Sequence, residues 1–180
     1  MAATTHLMTV AEFERLPDGR GERQELRHGE LVTLAPPKLK HSLIQLNLMN
    51  LLRPLAEPGS LVDKEMAFRP LPEHEFWVAD VAYLSAERFR QADPEDNIRG
   101  TPELVVEVLS PSNTATEMYD REQTCLANGA KEFWVVDPDR RRIRVTTNDG
   151  PTMTYEAGQQ VPLPLFGPET RVSVDDVFRY

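Results

Sequence analysis

Two strand-length apolar stretches of this chain each carry one carboxylate in their interior. WVADVAYL sets Asp80 among Trp77, Val78, Val81 and Leu84, and ELVVEVLSPS sets Glu107 among Leu104, Val105, Val106, Val108 and Leu109. Continuous apolar runs of this length read as strands buried on both faces. An ionised carboxylate in such a place costs several kcal/mol unless it is paired, protonated or bound to a metal. A strand-end acid that reaches solvent or an arginine explains either residue alone. Two such acids in one sheet call for a shared reason. Neighbouring acids on one face repel, so they take a cation between them or one takes up a proton. Magnesium suits this arrangement, because one or two carboxylates hold it while water and substrate phosphate fill its other positions.

The rest of the chain supplies the frame for these strands. Thr9 followed by VAEFERL reads as an N-cap and a short helix, with Glu12 as the capping-box acid. Residues 22–34 read as two strands around a turn at His28-Gly29, and Pro36 and Pro37 then break the chain. Residues 39–53 form a helix whose Leu43, Leu46, Leu48, Met49 and Leu52 are expected on one broad buried face. Strands are expected at 60–69, 75–84 and 102–109, with a short helix and polar loop over 85–100. A helix over 114–128 ends at Gly129, and KEFWVVDP is a strand stopped by Asp137-Pro138. A meander of small strands follows, then a last strand and short helix in RVSVDDVF. This order predicts a mixed α/β (α+β) chain, one domain over residues 1–180, with one central sheet.

Composition narrows the function classes. A net charge of −9 excludes a general polyanion binder, so any nucleic acid must meet a restricted patch. The single cysteine, Cys125, permits no intrachain disulfide and fits a reducing cytoplasm. No long apolar run predicts a membrane span, and the N-terminus does not look like a signal peptide. His6, His28, His41 and His74 are scattered without zinc-ligand spacing, and no glycine-rich phosphate loop is present.

Other charged residues have two readings each. Glu25 brings a third carboxylate toward the acids or is a solvated hairpin charge, and Glu30 is the next acid along. Lys38, Lys40 and His41 meet phosphate or merely open the helix. Glu117, Arg121 and Cys125 share one helical face directly after Glu107, so Arg121 either hangs over the site or pairs with Glu117. Arg140, Arg141, Arg142 and Arg144 form the one dense basic cluster. A solvated hairpin edge, where charge blocks edge pairing, is the favoured reading there over contact with a nucleic-acid backbone.

The succession MTVAEFERLP, QELRHGELVTLAPP, His41, WVADVAYLS, PELVVEVLSPS and NGAKEFWVVDP resembles the Uma-two family of bacterial endonucleases over roughly residues 8–145. The resemblance implies a restriction-endonuclease-like fold of the PD-(D/E)xK type, a mixed central sheet flanked by helices. It implies a metal-dependent phosphodiesterase site acting on DNA. Asp80 and Glu107 match the family's acidic positions and would hold Mg²⁺ or Mn²⁺, with the backbone carbonyl of Val108. Glu25 matches a further acid of the family, a ligand or an orienting group. Ala79 stands where the family has proline. Leu109 stands where the fold usually has lysine, Arg121 where the family supplies a lysine from the next helix, and Cys125 where it has tyrosine. Arginine keeps the charge but stays protonated, so it stabilises a phosphate and does not act as a base.

Three functions follow from these residues. One is a Mg²⁺-dependent endonuclease with Asp80, Glu107, Arg121 and Glu25 in its machinery. The second is a catalytically impaired nuclease fold acting as a binding or regulatory module, favoured by Arg121. The third is a metal-free hydrolase using paired carboxylates as acid and base. A homodimer is the default expectation for cutting two strands.

Overall fold

The computed structural model describes residues 6–17 and 23–180. Glu22, the first residue of the expected hairpin, lies outside them. Helix α1 (Val10–Phe13) begins at a reciprocal capping box, in which Thr9 Oγ1 accepts from Glu12 N and Glu12 Oε2 accepts from Thr9 N at 2.8 Å. Strands β1 (Arg23–Arg27) and β2 (Glu30–Leu34) pair antiparallel around His28-Gly29. Both turn residues have positive φ, 50° and 73°, the backbone of a tight hairpin whose twist matches its strands. A Cβ on Gly29 would lie 2.7 Å from Leu7 Cβ, so space as well as φ requires glycine.

Helix α2 (Leu39–Leu52) follows, then β3 (Leu61–Arg69), β4 (Trp77–Leu84), α3 (Ala86–Gln91), β5 (Ile98–Arg99) and β6 (Leu104–Val108). Helix α4 (Ala115–Ala127), capped by Thr114 and Glu117, crosses over to β7 (Glu132–Asp137), which lies parallel to β6. The chain continues through β8 (Arg142–Thr147), β9 (Met153–Tyr155), β10 (Gln160–Pro162), β11 (Arg171–Ser173) and α5 (Val174–Val177). Seven strands form one mixed sheet in the order β5-β3-β4-β6-β7-β8-β9, and β10 pairs with β11 in a separate ribbon.

Helices α2 and α5 cover one face of this sheet, packing Ile44, Leu48, Leu52 and Val177 with Val106, Trp134 and Val136. Helix α4 covers the other, packing Met118 and Cys125 with Val105, Phe133 and Val135. Each large side chain so buried contributes roughly 1.5–3 kcal/mol. The central strands β4, β6 and β7 are buried at every residue, as their unbroken apolar runs require.

Helix α2 departs from the expected face. Its buried residues are Ile44, Gln45, Leu48 and Leu52, whereas Leu46 is 41 % exposed and Leu43 half-buried. Polar and apolar residues are mixed around this helix, so its sequence does not mark which side meets the sheet. The two-residue β5 lies within the stretch expected as helix and loop.

The alternation of faces breaks once in the sheet. Trp77 and Ala79 of β4 pack in the cluster on the α4 side, while Val81 and Tyr83 pack with α2. Met66 and Val62 of β3 divide in the same way. In the register that pairs Lys64 with Val81 and Met66 with Ala79, the residues at the break are Glu65 and Asp80. Glu65 has φ +53°, a left-handed backbone in mid-strand. That distortion rotates the strand where Asp80 stands.

Candidate active site

The β4–β6 ladder pairs Val81 with Val106 and then stops. The next residues in that register are Asp80 and Glu107, so the two acids stand opposite each other where the ladder opens. Asp80 is 4 % exposed and Glu107 7 %.

Asp80 is held from the α2 side. Its Oδ1 accepts from His41 Nε2 at 3.1 Å and from Gln45 Nε2 at 2.9 Å, one helical turn apart on α2. Its Oδ2 accepts the backbone N–H of Val108 at 2.8 Å, and Arg23 Nη1 lies 3.5 Å from Oδ1. Burial pushes the Asp80 carboxyl up, but the His41 bond and charge, the Val108 amide and Arg23 outweigh it and hold the group below its usual range.

Glu107 is held from the α4 side, where Arg121 Nε donates to Oε1 at 2.8 Å. Burial raises its carboxyl to about 7 against the pull of Arg121, and the charges of Asp80 and Glu25 push the same way as burial.

Arg121 also reaches the hairpin. Its Nη1 and Nη2 donate to Glu25 Oε2 and Oε1 at 3.1 and 3.2 Å, and Nη2 donates to the Val78 carbonyl at 2.9 Å. Its guanidinium lies 4.8 Å from the Trp77 ring centroid, a cation–π contact in a desolvated setting. Burial disfavours its charge, but Glu107 and Glu25 outweigh burial and raise its pKa, so it stays protonated. Glu25 is 1 % exposed. Burial pushes it up, yet Arg121, Arg27 and the Val78 amide, which donates to Oε1 at 2.8 Å, hold it low. The bidentate grip of arginine on a carboxylate fixes orientation as well as charge.

The expected candidates therefore divide. Asp80, Glu107, Arg121 and Glu25 come together. Arg121 does not pair with Glu117, which caps its own helix and lies 3.9 Å from Arg27. Cys125 is buried on the same helix face, and burial pushes its thiol far up, so it is inert. Val108 presents its N–H to Asp80 and lines the cleft. His41 meets Asp80, while Lys40 pairs with Asp139 at 3.2 Å. The arginine cluster is mostly tied down: Arg140 and Arg142 flank Asp137, and Arg144 pairs with buried Glu122 at 2.7 Å.

Sequence reasoning missed Arg23, Arg27 and Gln45. The two arginines flank Glu25 at spacing two, the same face of a strand. Gln45 stands four residues after His41, on the same face of the helix. With Lys40, Ser42, Asn47 and Asn50 also polar in this helix, that spacing alone does not single the pair out.

The acids lie at the base of a cavity of about 930 Å³ between the β1–β2 hairpin, the start of α2, the loop after β6 and the turn after β7. Among the described residues no three His, Cys, Asp or Glu groups converge as a ready-made metal cage. The oxygens nevertheless fit a hard divalent ion. No described group donates to Glu107 Oε2, one lone pair of Asp80 Oδ2 is free, and the neighbouring Gln45 Oε1 is buried without a partner. Two carboxylates with water and phosphate completing the shell is the usual way to hold Mg²⁺.

Comparison with known proteins places the chain. The Uma2 family, described as "Putative restriction endonuclease", matches residues 10–175. The chain belongs to the Uma2 family. The solved structure of "a putative nuclease belonging to DUF820" from Anabaena variabilis ATCC 29413 superimposes on the Uma2 chain with TM-score 0.79 and 24 % identity. The match covers 95 % of this chain and 97 % of that one, so the two share a fold. No curated protein matches the chain. Among the described residues no helix is long and apolar enough to cross a membrane.

Proposed function

We propose that this Uma2 chain is a Mg²⁺- or Mn²⁺-dependent endonuclease that hydrolyses phosphodiester bonds in DNA. One observation carries the reading. Asp80 and Glu107 meet across a ladder that opens at them, at the base of a cleft, with Glu107 Oε2 turned to no described donor. A structural ion pair has no need of two opposed acids.

Asp80 and Glu107 would hold the ion. When bound, it withdraws charge from the phosphate and favours attack by water. His41 and Gln45 fix the Asp80 carboxylate so that it is aimed before substrate arrives. Arg121 orients Glu107 through Nε and brings a permanent positive charge to the developing phosphorane. It does not take a proton from water. Glu25 acts through Arg121, holding the guanidinium in place by its two-pronged contact.

A second reading has its own observation. Arg121 already bridges Glu25 and Glu107, so the acids are compensated without a metal. That suits a nuclease fold whose cleavage is impaired and which serves as a binding module.

Cleavage of supercoiled plasmid in Mg²⁺ or Mn²⁺ separates the two. The nuclease reading expects nicking that chelator and Glu107→Ala abolish, and that Arg121→Lys alters in rate. Intact plasmid and intact single-stranded DNA with every form, alongside retained metal binding, establish the binding module. Nicking that persists in excess chelator would instead indicate acid–base catalysis by the carboxylates alone.

A further inference from the structure

We propose that the cleft receives an unpaired DNA strand and not a continuous duplex. The inference rests on the nuclease reading above and adds the form of the substrate.

Depth is the first argument. The acids are 4 % and 7 % exposed, while the rim carries side chains such as Arg140 at 68 % and His28 at 65 %. A phosphodiester on the outside of a duplex meets a shallow surface easily. A flexible single strand comes down between the rim side chains to this floor more readily than a rod laid across them.

Charge is the second. Six lysines and arginines line the cleft against eight aspartates and glutamates. Among the described residues, Lys38 is the one lining lysine or arginine without a carboxylate within 4.0 Å. A duplex carries one charge per roughly 1.7 Å of axis and is held by neutralising many phosphates at once. This lining neutralises few. The rim acids Glu30, Asp120 and Asp139 repel the flanking phosphates of a rod laid across it. A single strand brings one or two phosphates to Lys38, Arg121 and the bound ion, and it flexes to keep the others away.

The third argument is the wall. Val32, Leu34, Pro36, Pro37, Leu109 and Pro111 line the cleft as an apolar strip, and the two prolines and Pro111 are exposed. A duplex offers only sugar and phosphate to such a wall, with its bases stacked inside. An unpaired strand offers base faces, whose burial against apolar groups is favourable and tolerant of sequence.

The test uses the full chain, a labelled twelve-nucleotide strand, its blunt duplex, and a duplex with an unpaired arm. Binding is read by fluorescence anisotropy in Ca²⁺, and cutting of the same molecules in Mg²⁺ on a gel. The expected result is binding of the strand at least tenfold tighter than the duplex, with cuts in the unpaired arm. Leu34→Asp and, as a second wall variant at an exposed position, Pro37→Asp bring strand binding down to the duplex level. Duplex binding equal to or tighter than strand binding overturns this inference and leaves the nuclease reading intact. Failure to bind or cut any of the three overturns the nuclease reading itself.

Discussion

Arg121 and Glu25 meet in a buried fork, with Nη1 and Nη2 at 3.1 and 3.2 Å from the two carboxylate oxygens, although 96 residues separate them in the chain. The contact binds helix α4 to the β1–β2 hairpin and leaves the arginine Nε for Glu107. Arg121→Ala strands Glu25 and Glu107 in the interior without their shared cation. The expected cost is about 3–5 kcal/mol, read as a lower urea midpoint. Glu25→Gln with Arg121→Met removes both charges and is expected to recover part of that loss.

The Glu107 carboxyl gives the chain a pH signature without metal. Its folded pKa of about 7 stands above the 4.5 of an unperturbed glutamate, so the folded chain binds more protons between these values than the unfolded one. Stability from this group is full below pH 4.5 and is lost as pH rises to 7, on the order of 3 kcal/mol. Asp80 and Glu25 are shifted the other way, and their contribution is lost only as pH falls through the acid range below their usual pKa. Denaturation in chelator at pH 5 and pH 8 checks this. Glu107→Gln is expected to gain on the parent chain as pH rises, and a constant difference between the two would refute the assignment.

Under the nuclease reading proposed above, His41 and Gln45 act through Asp80, to which both donate. His41→Ala is expected to weaken metal affinity and kcat/KM together by about 10–100-fold, the usual effect of removing a partner that orients a ligand. Calorimetric titration with Mn²⁺ beside the cleavage assay tells a positioning loss from a folding loss. Glutamine at position 41 restores a donor and is expected to recover part of both.

Glu65 carries a left-handed backbone in the middle of β3 and is exposed. Glu65→Gly relieves the strain at some cost in unfolded-chain entropy, so its stability stays within about 0.5 kcal/mol of the parent. Glu65→Val, stiff at Cβ and averse to positive φ, is expected to cost about 1–2 kcal/mol in the same denaturation series.

Much of the site was readable because burial makes polar residues conspicuous. Asp80 and Glu107 stood out in apolar strands, and the four-residue spacing of Arg121 from Glu117 and Cys125 put it on a definable face. What hid the rest was ambiguity of direction. Helix α2 mixes polar and apolar residues around its circumference, so Leu46 reads as a core residue although it is exposed, and the buried Gln45 carries no mark in the sequence. Arg23 and Arg27 sit in a hairpin whose charges look solvated until the hairpin docks. The left-handed turn at Glu65 has no sequence sign, since glycine or asparagine marks such a conformation and glutamate does not.

The distance along the chain between Glu25 and Arg121 has a consequence for synthesis. As the polypeptide grows, the hairpin and Asp80 exist well before helix α4 is made. Until then Glu25 has no fork to hold it, and Glu107 has no Nε donor. The acids can be assembled only in a chain translated past residue 121, so a product truncated before it carries the acidic strands without their shared cation. Under the nuclease reading proposed above, a nascent chain shorter than this lacks the assembled site.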